Sequence, residues 1–208
     1  MKTIIVTSRK GGAGKTTLTV NLATQASAGG KSRVVVLDAD PQGSATFWQS
    51  LRSEPFPEVR KVRAESGLAG ALARLEQEGV DYAFLDFPPA DKKWLRDAMA
   101  DADLVLIPTK PSPLDIHSAT STLEWALDAE SKVAWVINGA SVFSKTPDLV
   151  FDQLRKTGSV CATIVHERND FVVSAGLGLG VSEFAPNGKA AFEIDALWKN
   201  VRSLLRRA

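Results

Sequence analysis

Residues 8–17, with the sequence Ser-Arg-Lys-Gly-Gly-Ala-Gly-Lys-Thr-Thr, constrain the fold of this chain more than any other stretch. An apolar, β-branched run at 3–7 precedes them, and a helix-compatible stretch at 18–28 follows. A strand, a glycine-rich loop and a helix in this order form the phosphate-binding loop of nucleotide-binding proteins. A glycine-rich turn with a chance lysine is the alternative, but it does not explain why all three features coincide.

The residue types in this loop suit a bound phosphate. Its glycines let the backbone curl so that successive N–H groups face an anion, and the helix N-terminus adds unpaired donors and a partial positive charge. Lys15 is placed to reach the β- and γ-phosphates, and the Thr16 hydroxyl to bind Mg²⁺. The predicted nucleotide-binding residues of the loop are Gly11, Gly12, Ala13, Gly14, Lys15, Thr16 and Thr17.

The loop departs from the common pattern G-x-x-x-x-G-K-[ST], because Arg9 stands where the first glycine is expected. A second lysine, Lys10, lies five residues before Lys15. The sequence K-G-G-x-G-K-T-T is the deviant Walker A motif, and on it the chain resembles the ParA/MinD family of ATPases. In that family the lysine matching Lys10 reaches the phosphates of the partner subunit in a dimer that sandwiches the nucleotides. The resemblance therefore implies ATP, Mg²⁺ and a homodimer that forms on ATP.

Two apolar runs end in carboxylates. The run at 33–38 leads into Asp38 and Asp40, and the run at 81–86 ends at Asp86. Unbroken apolar runs suit parallel strands covered on both faces, whose carboxyl ends face the ligand crevice of an open α/β sheet. Carboxylates at that edge need cationic partners, and an acid after an apolar strand is typical of a Walker B magnesium site. The alternative for Asp38 and Asp40 is that they cap the next helix.

The segments D-x-D-P-Q-G at 38–43 and D-F-P-P at 86–89 also resemble motifs of the ParA family. The resemblance implies that Asp40 orients or activates the attacking water and that Asp38 supports the metal site. It implies that Asp86 holds Mg²⁺, although Phe87 replaces the threonine that is usual in the family. The predicted catalytic residues are thus Lys10, Lys15 and Asp40, and the predicted metal site consists of Thr16, Asp38 and Asp86.

The resemblance alone extends the nucleotide site to two further segments. Asn138, at the tip of the run 133–138, matches an asparagine with which the family binds adenine, and a turn-capping amide is the alternative. The run 181–186 resembles the V-x-E-x-x-P segment of the family, which places Pro186 near the base. The proline-rich loop 109–115 resembles family loops beside the nucleotide, but a rigid turn with Ser112 or Asp115 as helix N-cap explains it equally well.

The last predicted helix, from about 189 to 207, has an apolar face and a basic stripe. Lys199, Arg202 and Arg206 recur at helical spacing and form the stripe. Cations near a helix C-terminus also complement its dipole, which is the alternative explanation. Because ParA-type dimers hold non-specific DNA with scattered lysines and arginines, the resemblance favours DNA contact.

The composition limits the remaining possibilities. The 208 residues fit one domain, and 44% hydrophobic residues suffice for a complete core. With a net charge of +1, DNA binding requires a local patch rather than a global field. The single cysteine, Cys161, excludes a disulfide framework and suits the core. Neither a signal-peptide pattern nor an apolar run of membrane-spanning length is present, so we expect a cytoplasmic location and no membrane partner.

Apolar runs alternate with helical patterns, which predicts an α/β fold with a doubly wound, mostly parallel β-sheet flanked by helices. The resemblance spans nearly the whole chain and implies one P-loop NTPase domain over 1–208, similar to short ParA-type partition ATPases. It implies slow ATP hydrolysis by a nucleoid-associated dimer that partitions or positions a plasmid, chromosome or protein cargo, stimulated by an adaptor or ParB-like partner. The alternative is a metabolic P-loop enzyme, such as a dethiobiotin-synthetase-like ligase, which would not need Lys10.

Overall fold

The computed structural model describes residues 1–89, 92–144 and 146–206, and its centre is one parallel β-sheet. The strands are β1 (Lys2–Val6), β2 (Val34–Asp38), β3 (Glu58–Lys61), β4 (Tyr82–Asp86), β5 (Leu104–Thr109), β6 (Val133–Ala140), β7 (Ser159–Val160) and β8 (Val165–His166). Their order is β3-β2-β4-β1-β5-β6-β7, and β8 also pairs with β6. Every pairing among the described strands is parallel, which confirms the predicted fold class.

Helices connect the strands on both sides of the sheet. They are α1 (Lys15–Ser27), α2 (Ser44–Ser50), α3 (Leu68–Gln77), α4 (Lys93–Ala100), α5 (Pro113–Asp128), α6 (Thr146–Leu154), α7 (Asn169–Gly176), α8 (Val181–Phe184) and α9 (Lys189–Arg206). Helix α1 begins three residues earlier than predicted, because Gly14 adopts the left-handed conformation and serves as its N-cap. Helix α9 is confirmed as far as Arg206, and the predicted end at Arg207 lies outside the described residues.

The sheet is buried on both faces, and alternate strand residues belong to two separate cores. In β1, Ile4 and Val6 pack with α1 and α9, whereas Ile5 packs on the opposite side with residues of α3, α4 and α5. All three isoleucine and valine side chains are completely buried, and each such burial contributes about 1.5–3 kcal/mol. Burial on both faces explains why the strands read as unbroken apolar runs.

The apolar segment at 160–165 contributes to two short strands separated by four residues. Strands β7 and β8 are two residues each, and both pair with β6, whose register shifts between Asn138 and Ala140. Cys161 lies between them, is buried as predicted, and burial raises the pKa of its thiol to about 12. Among the described residues, no helix is both long and apolar enough to cross a lipid bilayer.

The topology brings the predicted site residues to one edge. Because all strands are parallel, the carboxyl ends of β1, β2, β4 and β6 lie together at that edge. Strand β1 lies between β4 and β5, and the helices that follow β1 and β5 cover opposite faces of the sheet. The loop after β1 therefore lies at the switch point of the topology, where open α/β sheets bind their ligands.

Candidate functional site

The loop between β1 and α1 has the backbone of a phosphate-binding loop. Gly12 and Gly14 have positive φ angles of 75° and 83°, which L-residues with side chains rarely adopt. A Cβ atom at Gly14 would also lie 2.2 Å from the Nδ2 atom of Asn138. The left-handed backbone conformation thus favours glycine at position 14, and a side chain there would displace the Asn138 amide.

Lys15 lies at the centre of the site. Its side chain is buried, and its ammonium donates to the backbone carbonyl of Lys10 at 3.4 Å. Burial lowers the pKa of Lys15, and the charges of Asp86 and Asp40 offset only part of that effect. The structure thus brings the predicted lysine and two of the predicted carboxylates into one electrostatic cluster.

Asp86 is a buried carboxylate without a hydrogen-bond partner of normal geometry. Both of its side-chain oxygens are inaccessible to solvent and unpartnered among the described residues. Burial, together with the charges of Asp38 and Asp40, raises its pKa to about 7, although the nearby Thr16 hydroxyl and Lys15 ammonium counteract that increase. A buried acid in this condition is suited to bind a cation.

The described residues fit a Mg²⁺ ion that the nucleotide helps to hold. They contain no group of three or more His, Cys, Asp or Glu side chains that could bind a metal by themselves. Mg²⁺ commonly uses one or two protein ligands with phosphate oxygens and water. Asp86 and the adjacent Thr16 hydroxyl meet that requirement, so both remain predicted metal-site residues.

Asp38 has contacts that favour the capping interpretation. Asp38 Oδ2 accepts hydrogen bonds from the backbone N–H and the hydroxyl of Thr46, at 2.8 and 2.6 Å, in the first turn of α2. Its Oδ1 accepts from the backbone N–H of Asp40 at 3.2 Å. Asp38 is also the register partner of Asp86 in the neighbouring strand. It therefore fixes the backbone around Asp40 and α2, while direct metal binding by Asp38 remains a prediction.

Asp40 lies two residues beyond the end of β2. One of its carboxylate oxygens, Oδ1, accepts from the backbone N–H of Gln42 at 2.9 Å, which holds the turn after the strand. Its charge acts on both Lys15 and Asp86. This position agrees with a residue that orients water near a phosphate, and the catalytic role itself remains a prediction.

Phe87, which replaces a threonine in the third motif, belongs to the core. It is completely buried, and its ring packs against Trp94 of α4 with 5.3 Å between centroids. The position next to Asp86 is therefore apolar here, and no hydroxyl acts from it.

Asn138 contacts the phosphate loop from β6, which is separated from β1 by β5. Its Nδ2 atom donates to the backbone carbonyl of Ala13 at 2.8 Å. This contact, between residues 125 positions apart, could not be predicted from sequence. The adenine contact remains a prediction, and the structure adds a role for Asn138 in holding the loop.

Lys10 pairs with a residue that the sequence had suggested only as a helix cap. Its ammonium lies 2.6 Å from the Oδ1 atom of Asp115, in the first turn of α5. Ser112 is the N-cap of α5, because its hydroxyl accepts from the backbone N–H of Asp115 at 3.4 Å. The capping interpretation is thus confirmed for Ser112, and Asp115 instead contacts the lysine of the deviant motif.

The remaining predicted residues lie on the outer surface of the C-terminal region. Pro186 is exposed in the turn between α8 and α9, and its place near the base remains a prediction. Lys199, Arg202 and Arg206 are exposed and line one open depression on α9. Lys199 pairs with Asp195 one turn earlier, at 2.7 Å, which neutralises part of the basic stripe.

The sequence matches a known protein family over most of its length. The model of the CobQ/CobB/MinD/ParA nucleotide binding domain matches residues 4–203. The "maintenance of carboxysome distribution protein A" of Halothiobacillus neapolitanus is 30% identical over 208 residues, covering 96% of this chain and 95% of the relative. Protein ParA of Rhizobium radiobacter is 32% identical over 146 residues, covering 69% of this chain and 64% of that protein.

Solved structures of the same fold support this match. MinD of Pyrococcus horikoshii, determined with Mg-ADP, superposes with a TM-score of 0.80 at 18% identity, covering 99% of this chain and 97% of that one. Apo McdA of Cyanothece superposes with a TM-score of 0.77 at 21% identity, covering 99% of both chains. At these identities the likeness concerns the fold, which is that of P-loop nucleotide-binding proteins.

Proposed function

Because the chain belongs to the CobQ/CobB/MinD/ParA nucleotide-binding family of P-loop ATPases, we propose that residues 1–208 act as one ATPase domain that partitions or positions a cargo. Two copies bind ATP between them and bind nucleoid DNA without sequence preference in the cytoplasm. An adaptor or ParB-like partner on a plasmid, chromosome or protein cargo stimulates slow hydrolysis. The cluster of Lys15, Asp40 and Asp86 at the end of β1, β2 and β4 is the observation that carries this proposal.

The residues of the cluster have separate tasks in the proposed reaction. Backbone N–H groups of the loop and the Lys15 ammonium bind the phosphates, as the glycine conformations and the buried lysine support. When bound, Mg²⁺ supplies positive charge to the β- and γ-phosphate oxygens. Thr16 and Asp86 would hold that ion, and Asp86 would have to lose its proton to do so, since its pKa is about 7. Asp40 accepts a hydrogen bond from the attacking water and aligns it with the γ-phosphate.

Lys10 completes the proposed site in a partner subunit, as the family resemblance implies. It lies on the same loop as Lys15, and its side chain is 38% exposed, so it is accessible to a second copy. A second positive charge at the phosphates would further lower the activation barrier of ATP hydrolysis, because phosphoryl transfer depends mainly on positioning and charge stabilisation. Hydrolysis is therefore expected to depend on dimerisation.

The proposed DNA contact uses the basic stripe of α9. A net charge of +1 gives the monomer little overall attraction to DNA. A dimer would carry two copies of the stripe of Lys199, Arg202 and Arg206, and together they would supply a local positive field. The affinity for DNA would then fall steeply as the salt concentration increases. ATP-dependent dimerisation would thus switch DNA binding on.

Fluorescence anisotropy of a random-sequence DNA duplex, titrated with the chain in Mg-ATP and in Mg-ADP, tests this proposal. We expect salt-sensitive binding in Mg-ATP alone, loss of binding on Lys10→Ala, and retained binding without phosphate release on Asp40→Asn. Equal binding in both nucleotides, or none in either, would contradict the nucleotide-switched DNA dimer. Hydrolysis that requires a small-molecule acceptor would favour the ligase alternative instead.

A further inference from the structure

One buried arginine joins three segments near the surface of the molecule. The Arg52 side chain is only 1% exposed, and its guanidinium pairs with the Glu183 carboxylate at 2.5 Å. It also donates to the backbone carbonyl of Gly178 at 2.9 Å and, through Nε, to that of Phe56 at 3.0 Å. The end of α2, the loop before β3 and the segment between α7 and α8 therefore meet around one guanidinium.

Large exposed apolar residues surround this guanidinium. Phe56, whose carbonyl it binds, is 53% exposed. Leu177 and Phe184, each next in sequence to a residue that the guanidinium contacts, are 52% and 38% exposed, and Leu51, next to the arginine itself, is 41% exposed. We call these four residues the Arg52 surface. A group of exposed apolar residues of this kind typically marks an interaction site.

Two helices extend the Arg52 surface. Phe47 in α2 and Val173 in α7 each lie one helical turn before a member of the surface, and both are exposed. A Cβ atom at Gly178 would lie 2.5 Å from the backbone nitrogen of Arg52, so the C-terminal ends of α2 and α7 are in close contact. Converging apolar helix faces form the kind of groove that binds an amphipathic helix.

The core holds the Arg52 surface in place from beneath. The Trp48 side chain is buried, and its ring centroid lies 5.0 Å from the guanidinium carbon of Arg52. Its indole N–H donates to the backbone carbonyl of Leu179 at 3.2 Å, which fixes the segment after α7 to α2. The surface is therefore formed without a partner, and binding to it requires little ordering of the chain.

An acidic cavity adjoins the Arg52 surface. It has a volume of about 350 Å³, and Glu54, Phe56, Glu183 and the C-terminal end of α1 line it. Of the described residues that line it, none carries a positive charge. Helix α1 has no basic residue in its last turn, so the partial negative charge of its terminal carbonyls also lacks a cation there. The cavity is therefore suited to a positively charged group, and the Phe56 ring adds an aromatic surface beside it.

We propose that the Arg52 surface and the acidic cavity together bind an amphipathic helix of a partner protein. The apolar side chains of that helix cover the surface, and one of its lysine or arginine side chains enters the cavity. Nucleic acid does not suit this site, because Glu54 and the end of α1 would repel phosphates. The inference rests on the partner-stimulated function proposed above and names the chemistry of the partner segment.

The site belongs to one chain and also contacts the helix of the phosphate loop. Every residue that forms it lies in a single subunit, so the partner segment should bind without nucleotide and without a dimer. Helix α1 begins at Lys15 and ends at the cavity. A partner bound there therefore touches the same helix that holds the phosphates in the proposed reaction.

Three synthetic peptides that differ only in charge test the proposal. Each is an amphipathic helix of about 15 residues, or four turns, with the same leucine stripe and with lysine, glutamine or glutamate on its polar face. The dissociation constant of each fluorescein-labelled peptide is measured by anisotropy with the full chain and no nucleotide. We expect the lysine peptide to bind tightest, and the glutamate peptide at least about 10-fold more weakly, because like charges across an interface are costly.

Two variants with matched controls locate the binding site of the lysine peptide. Leu177→Asp should weaken its binding by at least about 10-fold through lost apolar contact, although the added negative charge alone would favour a basic peptide. Leu149→Asp makes the same change at an exposed leucine of α6 and should leave binding unchanged. Leu177→Ser serves if the aspartate variant folds poorly.

The second pair of variants tests the acidic cavity. Glu54→Gln should weaken binding of the lysine peptide by about 2- to 5-fold, as expected for a partly exposed ion pair. Glu76→Gln removes the same charge from an exposed position in α3 and should have no effect.

The outcomes separate this docking site from the proposed function. No binding of the lysine peptide, equal affinity for all three peptides, or equal losses in Leu177→Asp and Leu149→Asp would overturn the docking site. ATP hydrolysis by wild type together with any of these results would leave the proposed function intact. Variant-sensitive binding by a wild type that neither dimerises on ATP nor hydrolyses it would overturn the proposed function and retain the docking site.

Discussion

Replacing Asp86 by asparagine should stabilise the protein when neither nucleotide nor Mg²⁺ is added. Asp86 is 1% exposed, and neither of its carboxylate oxygens has a hydrogen-bond partner of normal geometry among the described residues. Ionising such a group in the folded protein is costly, which is why its pKa rises to about 7. Asparagine has nearly the same shape and cannot ionise. The stability cost of this buried carboxylate can therefore be measured directly.

The sign of the effect follows from the two protonation equilibria. In the folded protein Asp86 keeps its proton up to a pH of about 7, whereas in the unfolded chain it loses that proton near the ordinary value of 3.8. Between these values the folded state binds more protons, so the free energy of unfolding decreases as pH rises. At 1.36 kcal/mol per pH unit the full difference is about 4 kcal/mol, of which about 2–3 kcal/mol falls between pH 5 and pH 8.

Urea unfolding at pH 5 and pH 8 measures this difference. We expect the stability advantage of Asp86→Asn over wild type to grow by about 2–3 kcal/mol from pH 5 to pH 8. Asp152→Asn is the matched control, since Asp152 is exposed in α6. The pH profile of its free energy of unfolding should be parallel to that of wild type. Parallel profiles for Asp86→Asn as well would refute the reasoning, because Asp86 would then be ionised throughout.

Two further substitutions test the geometry around the phosphate loop. Gly14→Ala should weaken binding of a fluorescent ATP analogue by at least about 10-fold in an anisotropy titration, because φ is 83° and the new Cβ would lie 2.2 Å from the Asn138 amide nitrogen. Thr46→Val should lower the free energy of unfolding by about 1–3 kcal/mol in urea, because the buried Asp38 carboxylate loses a hydroxyl donor at 2.6 Å.

Each of these variants has a matched control in the chain. Gly70→Ala places a Cβ in open space within α3 and should leave nucleotide binding unchanged. Thr120→Val removes a hydroxyl that donates only to the backbone of its own helix, at 3.0 Å from the Ile116 carbonyl, and should cost less than about 0.5 kcal/mol. Wild-type affinity in Gly14→Ala, or equal losses in the two threonine variants, would contradict the geometry described here.

The sequence predicted those parts of the site that are determined locally. The loop, its helix and the strands that end at Asp38 and Asp86 all follow from apolar runs and turn residues within a few positions of one another. The parallel sheet then brings these ends together regardless of what lies between them. For this reason the fold and the Lys15–Asp40–Asp86 cluster could be inferred without a structure.

Contacts between distant segments could not be inferred in this way. The ion pair from Lys10 to Asp115 and the hydrogen bond from Asn138 to Ala13 each join residues more than 100 positions apart. They depend on how α5 and β6 are placed against the loop. The hydrophobic periodicity of the sequence does not predict that placement. The hydrogen bonds from Thr46 to Asp38 join residues only eight positions apart. An acidic residue shortly before a helix with a threonine in its first turn could have predicted this contact.

Because all described strand pairings are parallel, the amino ends of the strands lie together at one edge of the sheet, and this edge is suited to engineering. Every turn that leads back into the central strands lies there, at the opposite edge from the nucleotide loop. Gly29, Gly30 and Gly79 occupy two of these turns, are exposed, and have open space where a Cβ would be. Exposed glycine turns of this kind tolerate inserted sequence well. A fluorescent domain joined there would report on the protein's movement in cells while leaving both the nucleotide edge and the termini unaltered.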